Sequence, residues 1–280
     1  MTTGRATSAP AGRGDAPADP PTAMDNATGK RLLALVRDGD YAHPGEEEAN
    51  RLLFAGLSAS PARRVLDAGC GAGGTAAWVQ AQGLGAVTGL EVDPATARLA
   101  RERHPEVTVV EGDLQAAGRV LAGPFDLIYA MTAIYAVGDQ AAAFRELAML
   151  AAPAAELRLL EYSAPEDDRA GAFRGGLGRG RWRPLRPREL PTTLAASGWT
   201  SVRVYDLRPE FVLWYRRLSE RIAARRAAIV RDFGAEWHAF VADEYAGILE
   251  AIRAGGLGGI LVRARRGRHL EGASRGPARG

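Results

Sequence analysis

The chain has 280 residues, 46% of them hydrophobic, and a formal charge of +3, which suits one large domain with a buried core. Its single cysteine, Cys70, excludes an intramolecular disulfide and a cysteine-based zinc site. No basic start leads into a long apolar core and no run approaches about 18 apolar residues, so neither export nor membrane spanning is expected, and the cytoplasm is the expected compartment.

Residues 1–28 are Ala, Pro, Gly, Thr and Asp with little to bury, and are expected to be disordered. Residues 29–60 read as a helical cap, with helices over Lys30–Arg37 and Glu46–Leu57 around the turn D-G-D-Y-A-H-P-G. Lys30, the only lysine, is placed outside the core. Residues 61–206 alternate strands with helices. Strands are expected at Val65–Asp67, Ala86–Glu91, Val107–Glu111, Phe125–Ala130, Leu157–Tyr162 and Ser201–Asp206. Helices are expected at Thr75–Gln82, Pro94–Arg103, Ala141–Ala151 and Arg188–Gly198, and such alternation argues a parallel sheet covered on both faces. Residues 207–255 read as a helical insertion broken near Gly234, and residues 256–266 hold a last strand, Ile260–Ala264. The arginine-rich tail, 267–280, lacks interleaved aromatic residues and reads as a solvated terminus; no nucleic-acid partner is expected.

The chemistry centres on Arg64–Thr75, R-V-L-D-A-G-C-G-A-G-G-T, a strand, a glycine turn and the start of a helix. Backbone can approach a ligand closely there because no Cβ stands in the way. Gly69, Gly71 and Gly74 satisfy the dinucleotide fingerprint G-x-G-x-x-G, while Asp67, Gly69, Gly71 and Gly73 satisfy D-x-G-x-G-x-G, a turn of Rossmann-like methyltransferases. A pyrophosphate suits the positive end of a helix, and an aspartate beside it would repel the phosphates. A ligand with an ammonium and a sulfonium would instead welcome Asp67. Glu91 closes the second strand, where a carboxylate can accept from both ribose hydroxyls in either ligand. Asp113 follows the third strand, where it can accept from an adenine amino group while Leu114 packs on the ring. Three acids at three successive strand ends outline a groove along the edge where open α/β sheets bind ligands.

With V-T-G-L-E-V-D-P, E-G-D-L, F-D-L-I-Y-A-M and L-R-L-L-E-Y-S added, Arg64–Tyr162 resembles the class I S-adenosylmethionine-dependent methyltransferases of small-molecule type. The resemblance implies a Rossmann-like, mostly parallel seven-stranded sheet in the order 3-2-1-4-5-7-6, with strand seven antiparallel and helices on both faces. The insertion at 207–255, which leaves and returns on the substrate edge, is expected to form a helical lid. It implies S-adenosylmethionine as cofactor, S-adenosylhomocysteine as product and no metal. Carried onto this sequence, Asp67, Gly69, Gly71 and Gly73 meet the methionine part, Glu91 the ribose, and Asp113 and Leu114 the adenine, with Val92 a further cofactor contact. Tyr41 and Tyr129 complete the cofactor set. The turn A-A-P-A-A-E stands where the family is usually rich in Lys, Pro and Gly, and is expected to be a surface turn.

The substrate side follows from topology. Glu161 is the first candidate for a catalytic base or acceptor anchor, its plain alternative being a pair with an arginine; His43 and Tyr129 are further catalytic candidates. Tyr135, Tyr162, Arg174, Trp182, Trp214, Trp237 and His238 are the candidate acceptor contacts, with helix-face packing the plain alternative for the insertion's aromatic residues. A small-molecule acceptor with an N, O or C nucleophile is expected. A prenyl diphosphate methylated at carbon is the minor reading, and an NAD-dependent oxidoreductase is the alternative that Asp67 and Asp113 oppose. The sequence leaves open whether the chain is a monomer or a homodimer.

Overall fold

The computed structural model describes residues 24–165 and 182–267. One sheet runs in the order β3-β2-β1-β4-β5-β7-β6, from β1 (Arg64–Ala68), β2 (Ala86–Glu91), β3 (Thr108–Glu111), β4 (Phe125–Met131), β5 (Ala151–Ser163), β6 (Trp199–Asp206) and β7 (Gly258–Arg266). β1 to β5 pair in parallel, whereas β7 is antiparallel to both β5 and β6. The order and the reversed last strand agree with the expectation. The helices are α1 (Ala27–Arg37), α2 (Glu46–Phe54), α3 (Gly74–Ala81), α4 (Pro94–Arg103), α5 (Gln140–Met149), α6 (Leu190–Ala196), α7 (Arg208–Ala224), α8 (Arg226–Phe233) and α9 (Ala235–Arg253).

The central strands are buried on both faces, which is why they read as continuous apolar runs. In β4, Leu127, Tyr129 and Met131 face one layer, and Ile128 and Ala130 face the other. The first layer is completed by α1 to α4 and α7 to α9, the second by α5, α6 and a 3-10 turn, Leu114–Arg119. Local chemistry sets the helix starts. Asp93 caps α4 by accepting from the Thr96 N–H at 2.7 Å, with Pro94 in the first turn, and Asp139 caps α5 by accepting from the Ala142 N–H at 2.9 Å.

Ion pairs join the first two helices to α7. Glu46 accepts from Arg37 at 2.7 Å and from Arg221 at 2.8 Å, Glu48 pairs with Arg217 at 3.0 Å, and Asp38 pairs with Arg225 at 2.5 Å. Trp214 of α7 lies against Gly45, where an added Cβ would stand 2.6 Å from the indole. The helical insertion and the N-terminal helices therefore form one layer.

Several bounds depart from expectation. The helix over Ala141–Ala151 stops at Met149, and A-A-P-A-A-E is no surface turn but the opening of β5. A register shift, with Phe125 opposite Ala151 and then Leu127 opposite Glu156, bulges the strand there. Ala154 takes φ +63° in this bulge, which accommodates Pro153, a residue unable to donate to a ladder. α2 stops at Phe54 rather than Leu57, and α6 starts at Leu190 rather than Arg188. The 3-10 turns at Leu114–Arg119 and Ile134–Ala136 had no counterpart in the expected elements.

Candidate active site

The glycine turn is fixed from β2. The Leu90 carbonyl accepts from the N–H groups of Gly69 and Cys70, both at 2.9 Å. Gly89 makes room for this, since the Cys70 sulfur lies 2.6 Å from where a Gly89 Cβ would stand. Gly69, Gly71 and Gly73 have φ of +93°, +54° and +88°, a region that side-chain-bearing residues rarely hold. Gly73 precedes α3 without any side-chain cap, so no side chain takes up that helix's first amides.

Asp67 and Tyr129 are register partners on β1 and β4, which brings the phenol to the carboxylate. The Tyr129 hydroxyl donates to Asp67 Oδ2 at 2.8 Å. Burial pushes the Asp67 pKa up to about 7; the Tyr129 hydrogen bond opposes this and the nearby Glu91 charge adds to it. Tyr129 is wholly buried, with Phe54 edge-on at 4.9 Å, and burial holds its phenol neutral, well above the usual tyrosine range. Glu91 is aimed by two backbone amides, accepting from Gly71 N–H and Asp93 N–H at 2.9 Å each. Beside it Val92 is 64% exposed, an apolar surface open at the groove. Asp113 is exposed and accepts from the Gln115 N–H at 2.8 Å, starting the 3-10 turn in which Leu114 is buried.

The segment between α1 and α2 lies over this turn. The Asp40 carbonyl oxygen is 2.6 Å from where a Gly74 Cβ would stand, and the Ala42 methyl is 3.6 Å from the corresponding point on Gly71. The Asp40 carboxylate pairs with Arg103 and, at 3.0 Å, with His104 Nε2, and this hydrogen bond raises the His104 pKa. His43 is buried, with Nε2 2.8 Å from the Thr75 hydroxyl and Nδ1 3.2 Å from the Pro44 carbonyl. Burial lowers its pKa to about 3, so the imidazole is neutral. Tyr41 packs 5.6 Å from the His43 ring. Lys30 corrects the sequence reading. It is half-buried at the glycine turn, its Nζ 3.8 Å from where a Gly71 Cβ would stand.

Glu161 sits where β4 and β5 end. It is fully buried, and Oε1 accepts from the N–H groups of Ala133 and Ile134 at 2.8 Å each, with Tyr135 N–H 3.4 Å from Oε2. Burial raises its pKa to about 7 against the pull of those amides. Its partners are backbone amides, neither an arginine nor open space. The turn it holds includes Thr132 at φ +49°, and the Ala133 methyl lies 2.5 Å from where a Gly69 Cβ would stand. Beyond this turn, Tyr135 packs on Tyr162 at 4.9 Å and Trp182 at 4.3 Å, and Tyr162 meets Phe211 at 5.7 Å. The Tyr162 and Tyr215 hydroxyls are in contact, and Tyr215 stacks on Tyr245 at 5.9 Å. Trp214 and Trp237 are buried, Trp237 with Phe240 6.0 Å away on its own helix, and His238 is half-buried. Arg174 lies outside the described residues, as do Arg179 and Arg181. Sequence reasoning missed Lys30 and Phe211; the rarity of lysine was the one signal for the first, and nothing distinguished the second from packing.

Residues 65–154 match the family model of the methyltransferase domain. The sheet order and the reversed last strand are those of the class I methyltransferase fold. S-adenosylmethionine is the methyl donor of this domain type. No curated protein matches by sequence. Among solved structures, phosphoethanolamine N-methyltransferase 2 of Haemonchus contortus, in complex with phosphomonomethylethanolamine and S-adenosylhomocysteine, is 16% identical with a TM-score of 0.77; the match covers 86% of this chain and 57% of that one. The chain thus spans little more than half the length of that enzyme. A putative sarcosine dimethylglycine methyltransferase from Galdieria sulphuraria is 18% identical, TM-score 0.70, with 79% and 85% covered. Geranyl diphosphate C-methyltransferase from Streptomyces coelicolor is 16% identical, TM-score 0.62, with 79% and 76% covered. At these identities the likeness establishes the fold.

The geometry above fits such a donor: a bare glycine turn, a buried acid whose ionised form lacks a cationic partner in hydrogen-bond range among the described residues, and a second acid aimed by backbone. Among the described residues no group of three or more His, Cys, Asp or Glu side chains is placed to hold a metal ion, and no helix is long and apolar enough to cross a membrane.

Proposed function

We propose that the chain is an S-adenosylmethionine-dependent methyltransferase acting on a small-molecule acceptor. The observation that carries this is the pairing of the bare glycine turn with buried Asp67, which suits a cationic ligand and disfavours a pyrophosphate. The bound cofactor supplies a methyl group on a sulfonium. Asp67 accepts from its ammonium, Glu91 from the ribose hydroxyls and Asp113 from the adenine amino group, while Val92 and Leu114 pack on the base. The acceptor is received at the end of β4, against Tyr135, Tyr162 and Trp182, with α7 to α9 as the lid.

On this reading most of the rate comes from alignment in a site that excludes water. Glu161 is a positioning residue: it fixes the turn that borders the glycines and thereby the acceptor's approach. His43, with both ring nitrogens engaged, holds the covering segment to α3. The prenyl diphosphate reading rests on Arg174, Arg179 and Arg181, which lie outside the described residues, and on Arg183, Trp182 and Glu161, and is not carried forward.

Calorimetry with S-adenosylhomocysteine and with NAD tests the donor, and mass spectrometry of a panel of amines, phenols and activated carbon nucleophiles incubated with labelled donor tests the transfer. Binding of the first ligand alone, with a labelled product, is expected. Binding of NAD, or donor binding without transfer to any acceptor, would overturn the assignment.

A further inference from the structure

We propose that Lys30 receives the α-carboxylate of the cofactor's methionine part, so that α1, outside the matched domain, reads the amino-acid end of the ligand. The inference rests on the proposed use of S-adenosylmethionine.

The amino-acid end of that cofactor carries an ammonium and a carboxylate, and a site that binds both needs opposite charges side by side. Asp67 and Glu91 supply the anions. Cations near the turn are mostly committed. Arg37 donates to the His43 carbonyl at 2.6 Å and to Glu46 at 2.7 Å, and Arg103 and His104 hold Asp40. Lys30 differs: its ammonium makes no hydrogen bond or ion pair with another described residue, although it is 3.8 Å from where a Gly71 Cβ would stand. Burial lowers its pKa, and Glu91 is the first of the charges that oppose this. An ammonium held in a half-buried groove without a close partner is unfavourable until a ligand anion arrives.

The backbone keeps this approach open. A side chain on Gly71 would meet both the Lys30 stem and Ala42. The start of α1 is fixed by Asn26, which accepts from the Gly29 N–H at 2.8 Å, and by close packing of Gly29 on Met24, where an added Cβ would stand 2.5 Å from the Met24 carbonyl oxygen. Lys30 therefore projects from an anchored turn. The uncapped N-terminus of α3 adds positive potential at the same glycine turn.

The test is calorimetry on the full chain with two ligands: S-adenosylhomocysteine, and 5′-methylthioadenosine, which keeps the adenosine and the thioether but lacks the amino-acid end. Lys30→Met should weaken S-adenosylhomocysteine by about 10- to 100-fold, the range for a hydrogen bond between charged groups, and leave methylthioadenosine within about twofold. Lys30→Arg should keep most of the affinity. Equal losses with both ligands would show a general disturbance of the groove and overturn the assignment. Unchanged or tighter S-adenosylhomocysteine binding by Lys30→Met would make the lysine a mere counter-ion for Asp67 and Glu91, and overturn it too. If the wild-type chain bound methylthioadenosine but not S-adenosylhomocysteine, the lysine assignment alone would fall; if it bound neither, the cofactor reading would fall with it.

Discussion

Replacing Asp67 with Asn should abolish a pH dependence of ligand binding that the wild-type chain carries. Burial raises the Asp67 pKa from 3.8 to about 7. Below pH 7 the ligand-free protein therefore holds a neutral carboxyl, and a ligand that brings an ammonium needs the ionised form. The ionised fraction is about 0.1 at pH 6 and about 0.9 at pH 8, so affinity for S-adenosylhomocysteine should rise about tenfold over that interval, or about 1.4 kcal/mol. Binding should release about 0.9 proton at pH 6 and about 0.1 at pH 8, by the same linkage. Titrations in two buffers of different ionisation enthalpy count these protons directly. His104 is raised by its hydrogen bond to Asp40, and Asp67→Asn isolates the two contributions because it leaves His104 in place. Tyr129→Phe removes the one side-chain hydrogen bond that opposes the Asp67 shift, so the midpoint should move to higher pH. Zero proton release at pH 6, or an unchanged pH profile in Asp67→Asn, would refute the reasoning.

Glu161→Gln should change how stability varies with pH. Glu161 is raised from 4.5 to about 7, so its proton contributes stability that is fully present below pH 4.5 and lost as pH rises through 7. Between pH 5 and pH 8 the variant should gain about 2–3 kcal/mol relative to wild type in urea unfolding, since the amide keeps an oxygen for Ala133 and Ile134 but cannot ionise; a parallel pair of curves would contradict this. Gly45→Ala should cost about 2–4 kcal/mol, because the residue has φ +84° and its Cβ would enter the Trp214 ring. Gly56→Ala, at φ +82° with nothing within 4 Å, is the control and should cost only about 1–2 kcal/mol by the same unfolding assay.

What the sequence disclosed and what it hid divide along a physical line. Asp67, Glu91 and Asp113 were legible because each lies at or just beyond the end of a short apolar run long enough only for a buried strand. The glycine turn was legible because three residues there need a positive φ. The partners of Glu161 were not, since they are backbone amides 26 to 28 residues earlier, and every residue carries such an amide. The meeting of Tyr129 with Asp67 depends on strand register, which follows only once β1 and β4 are known to be neighbours. Lys30 was placed outside the core, and its approach to the glycine turn was hidden because nothing in the sequence says which turn of backbone a helix ahead of the first strand will meet. Pro153 marked an interruption correctly, but a bulge and a loop look alike in one dimension.

The salt links from Glu46 and Asp38 to α7 have a consequence for how the protein matures. They join residues 175 and 187 positions apart, while β1, β2 and β3 with their connecting helices are complete by Glu111. At about 5–20 residues per second of synthesis, the N-terminal helices wait roughly 9–35 s for Arg221 after Glu46 has been made. During that interval the glycine turn and its acids can form while the helices over them still lack the arginines that hold them. The roof of the site is thus synthesised before its floor but fastened after it.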